Sequence, residues 1–272
     1  MQADAGRAGQ RFCLLYEPQG RAVRGAIVFV HAFAEEMNKS RRMVALQARA
    51  LAEAGFCVLQ IDLHGCGDSS GDFVDASWQG WVEDIAQAAR WLKARTHAPL
   101  WLWGQRAGCL IAVEAARQGG LDCHFLFWSP PSSGKAMLQQ FLRVKIAGDM
   151  LAGSTSGGTD ALRKELADGR AVEVGGYFVS GALALGLEQA VLTPPPGLTN
   201  LIEWIELAVG KDASLSLVSR KSSELWGEAG YRVHCHIVQG PAFWQTAEIV
   251  EVPGLLAATV AALSDDSGME SS

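Results

Sequence analysis

The chain of 272 residues is 49% apolar and 19% charged, enough apolar content to bury a core the size of one large α/β domain. Its formal net charge of -6 excludes a surface built for general binding to nucleic acid or anionic lipid, which needs a basic face. No run reaches the roughly 18 apolar residues of a membrane-spanning helix, the first residues lack the apolar core of a secretory leader, and the six cysteines are scattered without a CxxC pair; no membrane span, free thiols and a cytoplasmic location are expected.

Between residues 22 and 128 short β-type runs alternate with helical periodicity. AIVFV (26–30), FCVLQI (56–61), PLWLW (99–103) and CHFLFW (123–128) are brief and rich in β-branched and aromatic residues, the pattern of strands buried on both faces. The helix between the first two reads SRRMVALQARALAEAG, with Ser40 placed to cap it and Gly55 to end it. SWQGWVEDIAQAARWLKAR repeats apolar residues every three or four positions behind Ser77 at the N-cap, and a third helix from Arg106 to Gln118 stops at Gly119-Gly120.

From 132 to 199 glycine, serine and proline clusters break the chain and helical patterns such as ALRKELADG lie between them, which predicts an inserted, mostly helical cap. Alternation resumes at 200 with a helix in NLIEWIELAVG, a strand in SLSLV, a strand in VHCHIV and a last helix in PGLLAATVAAL, before a polar tail. The expected organisation is an α/β core in two parts (1–131 and 200–263), a cap at 132–199 and a disordered tail at 264–272, with a mostly parallel central sheet flanked by helices.

In open parallel sheets ligands bind beyond the carboxyl ends of the strands. Those positions read HAFAEE (31–36), DLHGCGDS (62–69) and GQRAG (104–108). In this order and spacing they resemble the α/β-hydrolase superfamily, whose members show HGxxE-like, DxxGxGxS and GxSxG motifs after successive strands. In the second motif, Asp62, Gly65, Gly67 and Ser69 are read as residues that fix the loop. The arginine elbow, the segment 172–188 and the ending 240–256 further resemble exosortase A system-associated hydrolase 2, a family of bacteria that sort PEP-CTERM proteins and export exopolysaccharide. That resemblance implies exosortase-system proteins as partners and no particular substrate.

A serine triad needs an elbow nucleophile, a histidine to take its proton and an acid to orient the histidine. Arg106 holds the first place, and a guanidinium has no usable lone pair. GPAFWQ (240–245), after the last expected strand, contains no histidine, and after SLSLV the acidic residue is Glu224. Cys109, near the elbow helix N-terminus, is the alternative nucleophile, and Cys66, with His31 or His64 as base, is another. His234 and His236 have the spacing of two ligands on one strand face, but no third ligand is evident, so neither a metal nor another cofactor is expected.

A cation at a helix N-terminus is opposed by the helix dipole, so Arg106 needs a negative partner. Glu35, Glu36 or Glu248 could supply it from within, or a bound anion could, held also by the backbone N–H groups of Ala107 and of Ala32 or Phe33. The expected ligand site comprises Arg106, Ala107, Ala32, Phe33, His31, Glu35 and Trp244, with Trp128 as a further wall and Tyr177 and Phe178 in the covering cap. Two functions stay open: a protein binding a small anionic or acyl-type ligand without serine hydrolysis, and an ester or thioester hydrolase or acyltransferase with a non-standard nucleophile.

Overall fold

The computed structural model describes residues 9–153, 157–197, 200–210 and 214–264. Seven strands form the central sheet: β1 (Cys13–Tyr16), β2 (Gly25–Val30), β3 (Phe56–Ile61), β4 (Leu100–Gln105), β5 (His124–Trp128), β8 (Leu201–Ala208) and β9 (Arg232–Gln239). Their order is β1-β3-β2-β4-β5-β8-β9, parallel throughout except for β1 on β3. The chain leaves β2 for β3 on one side and returns to β4 on the other, so the sheet reverses direction of growth between β2 and β4. The crevice beyond the carboxyl ends of these two strands is the ligand position of such sheets.

Helices cover both faces because the central strands are apolar on both. α1 (Glu35–Glu53) and α8 (Pro253–Ser264) pack on one face, over Phe29, Trp103, Leu126 and Ile205. α2 (Trp78–Arg95) and α3 (Ala107–Gly119) pack on the other, over Val28, Leu102 and Phe125, and α7 (Leu217–Glu228) lies beside β9. Ser77 caps α2 as its sequence implies, accepting from the Gly80 N–H. Ser40 does not cap α1: that helix begins five residues earlier, and the buried Ser40 hydroxyl donates to the Glu36 carbonyl.

Between β5 and β8 lie α4 (Gly134–Leu151), α5 (Gly158–Ala167), a hairpin of β6 (Val172–Val174) and β7 (Tyr177–Val179), and α6 (Gly181–Gln189). α6 docks closely on α2, since a Cβ at Gly186 would lie 2.1 Å from that of Trp78. The expected disordered tail falls, after Ser264, outside the described residues.

Two elements differ from the sequence reading. NLIEWIELAVG is the strand β8, and SLSLV is an extended stretch running into α7, whose N-cap Ser216 accepts from the Ser219 N–H. In β8, Ile202 and Trp204 face one layer and Ile205 and Leu207 the other, so apolar residues on both faces gave a helix-like count. Its buried Glu203 is held by the neighbouring strand: His234 Nδ1 lies 2.9 Å from one carboxylate oxygen and His236 Nε2 2.6 Å from the other. The paired histidines thus anchor a buried carboxylate, and among the described residues no group of three side chains is arranged to hold a metal.

Candidate functional site

Arg106 stands between β4 and α3 with φ 53° and ψ -124°, a positive-φ turn that a side chain adopts only under constraint. The glycines on either side admit it. A Cβ at Gly104 would lie 2.5 Å from Cys109 Cα, and one at Gly108 would lie 2.1 Å from the Val30 carbonyl oxygen. The sequence GQRAG therefore keeps the close crossing of strand, turn and helix that an elbow needs. Ala34, between β2 and α1, has almost the same backbone, φ 51° and ψ -127°. Two sharp turns on adjacent strands bring the start of α1 beside the elbow.

Of the partners open to Arg106, the structure selects Glu36. Nε and Nη2 of Arg106 donate to the two Glu36 carboxylate oxygens at 3.3 and 3.4 Å, while Nη1 reaches the Ser129 carbonyl at 3.5 Å and Nη2 the Met137 sulfur at 3.3 Å. The Trp244 ring centre lies 5.3 Å from the guanidinium carbon, within cation–π range. Burial pushes the Glu36 carboxyl above its ordinary pKa; Arg106 and the Gln245 side chain oppose the shift without cancelling it. Glu248 is exposed and makes no ion pair with Arg106.

A cavity of about 290 Å³ opens between the elbow and the cap. Phe33, Met137, Phe141, Val144 and Trp244 give it a mainly apolar wall, and Glu35 and Glu36 are its charged lining residues. Tyr177 from β7 also lines it, its hydroxyl donating to Glu35 Oε2 at 3.0 Å and accepting from Asn38 Nδ2 at 2.7 Å, which ties the hairpin to α1. Burial first, and the Glu35 carboxylate second, hold that hydroxyl protonated beyond the usual phenol range. Gln140, Gln245 and Met137 were not singled out by sequence; Met137 and Gln140 sit one turn apart on α4, a helix-face signal that needs the partner surface to be recognised.

Phe33, Glu35 and Trp244 line the cavity, and Arg106 lies immediately behind Glu36. As the first residue of α3, Ala107 has no intrahelical acceptor for its N–H, so the elbow retains a donor of the oxyanion-hole type. Ala32 is fully buried in the turn after β2. His31 is not a ligand group of this cavity. Its Nδ1 donates to the Ala32 carbonyl at 2.7 Å, its Nε2 accepts from the Leu63 N–H at 3.3 Å, and burial lowers its basicity. Trp128 is core, donating from its indole to Thr259, and Phe178 is exposed outside the cavity wall.

Both cysteine candidates are set aside by burial. Cys109 is 0% exposed beneath the elbow, its thiol 4.0 Å from the Trp128 carbonyl, and desolvation raises its pKa despite nearby Arg106. Cys66 is buried with the same consequence. Glu224 lies exposed on α7, away from the strand end, because SLSLV is not a strand. The loop that follows β8 spans 209–216; its acidic residue is Asp212, outside the described residues. After β9, the loop from 240 to 252 carries no histidine. Asp62 is structural: its carboxylate accepts from the Asp68 N–H at 3.0 Å and pairs with Arg41 at 3.3 Å, and the Ser69 hydroxyl donates to its carbonyl.

A mostly parallel sheet in this order, with an elbow at its switch point and an insertion between its fifth and sixth strands in chain order, defines a protein of α/β-hydrolase fold. Residues 21–152, just under half of the chain, match the family model Hydrolase_4, described as serine aminopeptidase S33. Human Protein ABHD12B is 34% identical over 106 residues; these are 39% of this chain and 28% of that protein, so the match spans under a third of the relative's length. Among solved structures, Est1E from Butyrivibrio proteoclasticus, with ferulic acid bound, is similar at a TM-score of 0.64 and 15% identity, covering 94% of this chain and 93% of the other. Mouse alpha/beta hydrolase domain-containing protein 10 is similar at 0.57 and 13%, covering 97% and 96%.

Proposed function

We propose that this protein binds an acyl-type chain in the cavity beneath its cap, without serine hydrolysis. One observation carries the reading: the apolar cavity ends at the elbow in an Arg106–Glu36 ion pair where a nucleophile would stand. Its volume of about 290 Å³ lies at the small end of the roughly 300–1,000 Å³ typical of ligand pockets, which suits one chain of moderate length. Since Glu36 already occupies the guanidinium, the geometry favours the acyl chain over a free anion as the ligand's defining feature. The burial of Cys109 leaves the thiol-nucleophile alternative without support.

The test pairs binding with turnover. Decanol, titrated while following tryptophan fluorescence, is expected to bind saturably, and p-nitrophenyl decanoate to be bound without release of nitrophenol above the uncatalysed rate. Absence of binding, or turnover abolished by a substitution at the elbow, would overturn the reading.

The arginine elbow and the segments 172–188 and 240–256 support a place in the bacterial exosortase, PEP-CTERM and exopolysaccharide system, with proteins of that system as partners. Its unpaired cysteines favour a cytoplasmic location. Pull-down of the tagged chain from its own cells is expected to recover exosortase-system proteins; recovery of none would remove this part of the proposal.

A further inference from the structure

We propose that the head group of the bound chain is a cation, specifically a primary alkylammonium; this rests on the reading of the cavity as an acyl-chain site and specifies its ligand. The cavity wall decides the sign. Among the described residues no lysine or arginine lines it, whereas two carboxylates do. Glu36 is neutralised by Arg106, and that guanidinium is enclosed: its N–H groups go to Glu36, the Ser129 carbonyl and the Met137 sulfur, its face lies near Trp244, and its side chain is 14% exposed.

Glu35 is different. It forms no ion pair among the described residues, and its two donors, the Tyr177 hydroxyl and the Asn38 amide, both go to Oε2, leaving Oε1 without a hydrogen-bond partner there. The nearest basic side chains along α1 are committed elsewhere, Lys39 to the Ala247 carbonyl and Arg41 to Asp62. Counting Arg106 with the wall, the site carries one uncompensated negative charge. A carboxylate entering this apolar space would lose its hydration and meet Glu35 as a like charge. An ammonium brings three N–H donors and no acceptor. Glu35, Gln140 and Gln245, all lining residues of the cavity, carry side-chain acceptors of the matching kind.

The experiment compares decylamine, decanol and decanoate at neutral pH, each below its micelle concentration, by calorimetric titration of the full chain and of Glu35→Gln. Because Glu35 is exposed in the first turn of α1, the variant is expected to fold, which its circular dichroism would verify. The wild type should bind decylamine about fivefold tighter than decanol, the size of a solvent-accessible ion pair, and decanoate most weakly. Glu35→Gln should erase the amine's advantage, read as the ratio of decylamine to decanol affinity within each protein. If decanol binds but decanoate is preferred to decylamine, or if the amine's advantage survives in Glu35→Gln, the inference is wrong while the chain-binding reading stands. If none of the three binds, that reading falls first.

Discussion

Arg106 and Glu36 do not contribute symmetrically, and the asymmetry is measurable. Glu36 is held above its ordinary pKa by burial, and the guanidinium opposes that shift without cancelling it. The stability linked to its proton is full below the ordinary carboxylate pKa and is lost as pH rises through the elevated native value, because over that window the native state keeps a proton the unfolded state has released. Removing the cation leaves a largely buried carboxylate alone. Arg106→Met should therefore cost about 3 kcal/mol at neutral pH in urea denaturation, the loss should shrink as pH falls and Glu36 protonates, and Arg106→Met with Glu36→Gln should recover most of it. A pH-independent loss, unrepaired in the double variant, would mean that the pair is not the energetic unit of the elbow. The thiols give a second test at this scale. Cys235 is the exposed cysteine among the six, whereas Cys109 and Cys66 are buried with raised pKa values. Iodoacetamide under native conditions should label Cys235 first and Cys109 only after unfolding; early labelling of Cys109 would contradict its placement.

At the scale of elements, the elbow depends on how closely α3 can approach β2. A methyl group at Gly108 has no room against the Val30 carbonyl, a backbone atom that cannot rotate away. Gly108→Ala should cost about 2–3 kcal/mol or more, read as a lowered denaturation midpoint at unchanged slope, and should weaken chain binding by shifting Arg106. A variant as stable as the wild type would show that the helix approaches less closely. This crossing was legible in GQRAG because its glycines are forced locally. The matching turn at Ala34 was not, since an alanine announces no positive φ and only the neighbouring strands hold it there. β8 was misread as a helix for a related reason: Glu203 and Glu206 look like the polar stripe of a surface helix. Yet Glu203 is buried because two histidines of β9 close over it, a pairing across 31 and 33 positions of sequence that no local window contains. That error moved the expected acid to Glu224, and the candidate site inherited it.

Over the whole molecule, Phe33, Glu35 and Glu36 from the strand ends line one half of the cavity with Arg106 behind Glu36, and the other half comes from α4 and the β6–β7 hairpin, whose packing no motif announces. Core and insertion meet through Tyr177 on Asn38 and Glu35 and through the Ser180 hydroxyl on the Ala76 carbonyl. The fold keeps the hydrolase frame, including a backbone N–H at the start of α3 that has no acceptor within the helix, while the residues that would run a serine mechanism through it are replaced at the elbow and missing after β9. A reactive probe that needs only an activated nucleophile beneath the cap separates these two aspects most directly. The measurement is the intact mass of the protein after incubation with a decyl fluorophosphonate, alongside a competent serine hydrolase of the same fold. The account predicts an unchanged mass for this protein and a single adduct for the control. A stoichiometric adduct mapping to a side chain at the Arg106 cavity would contradict it.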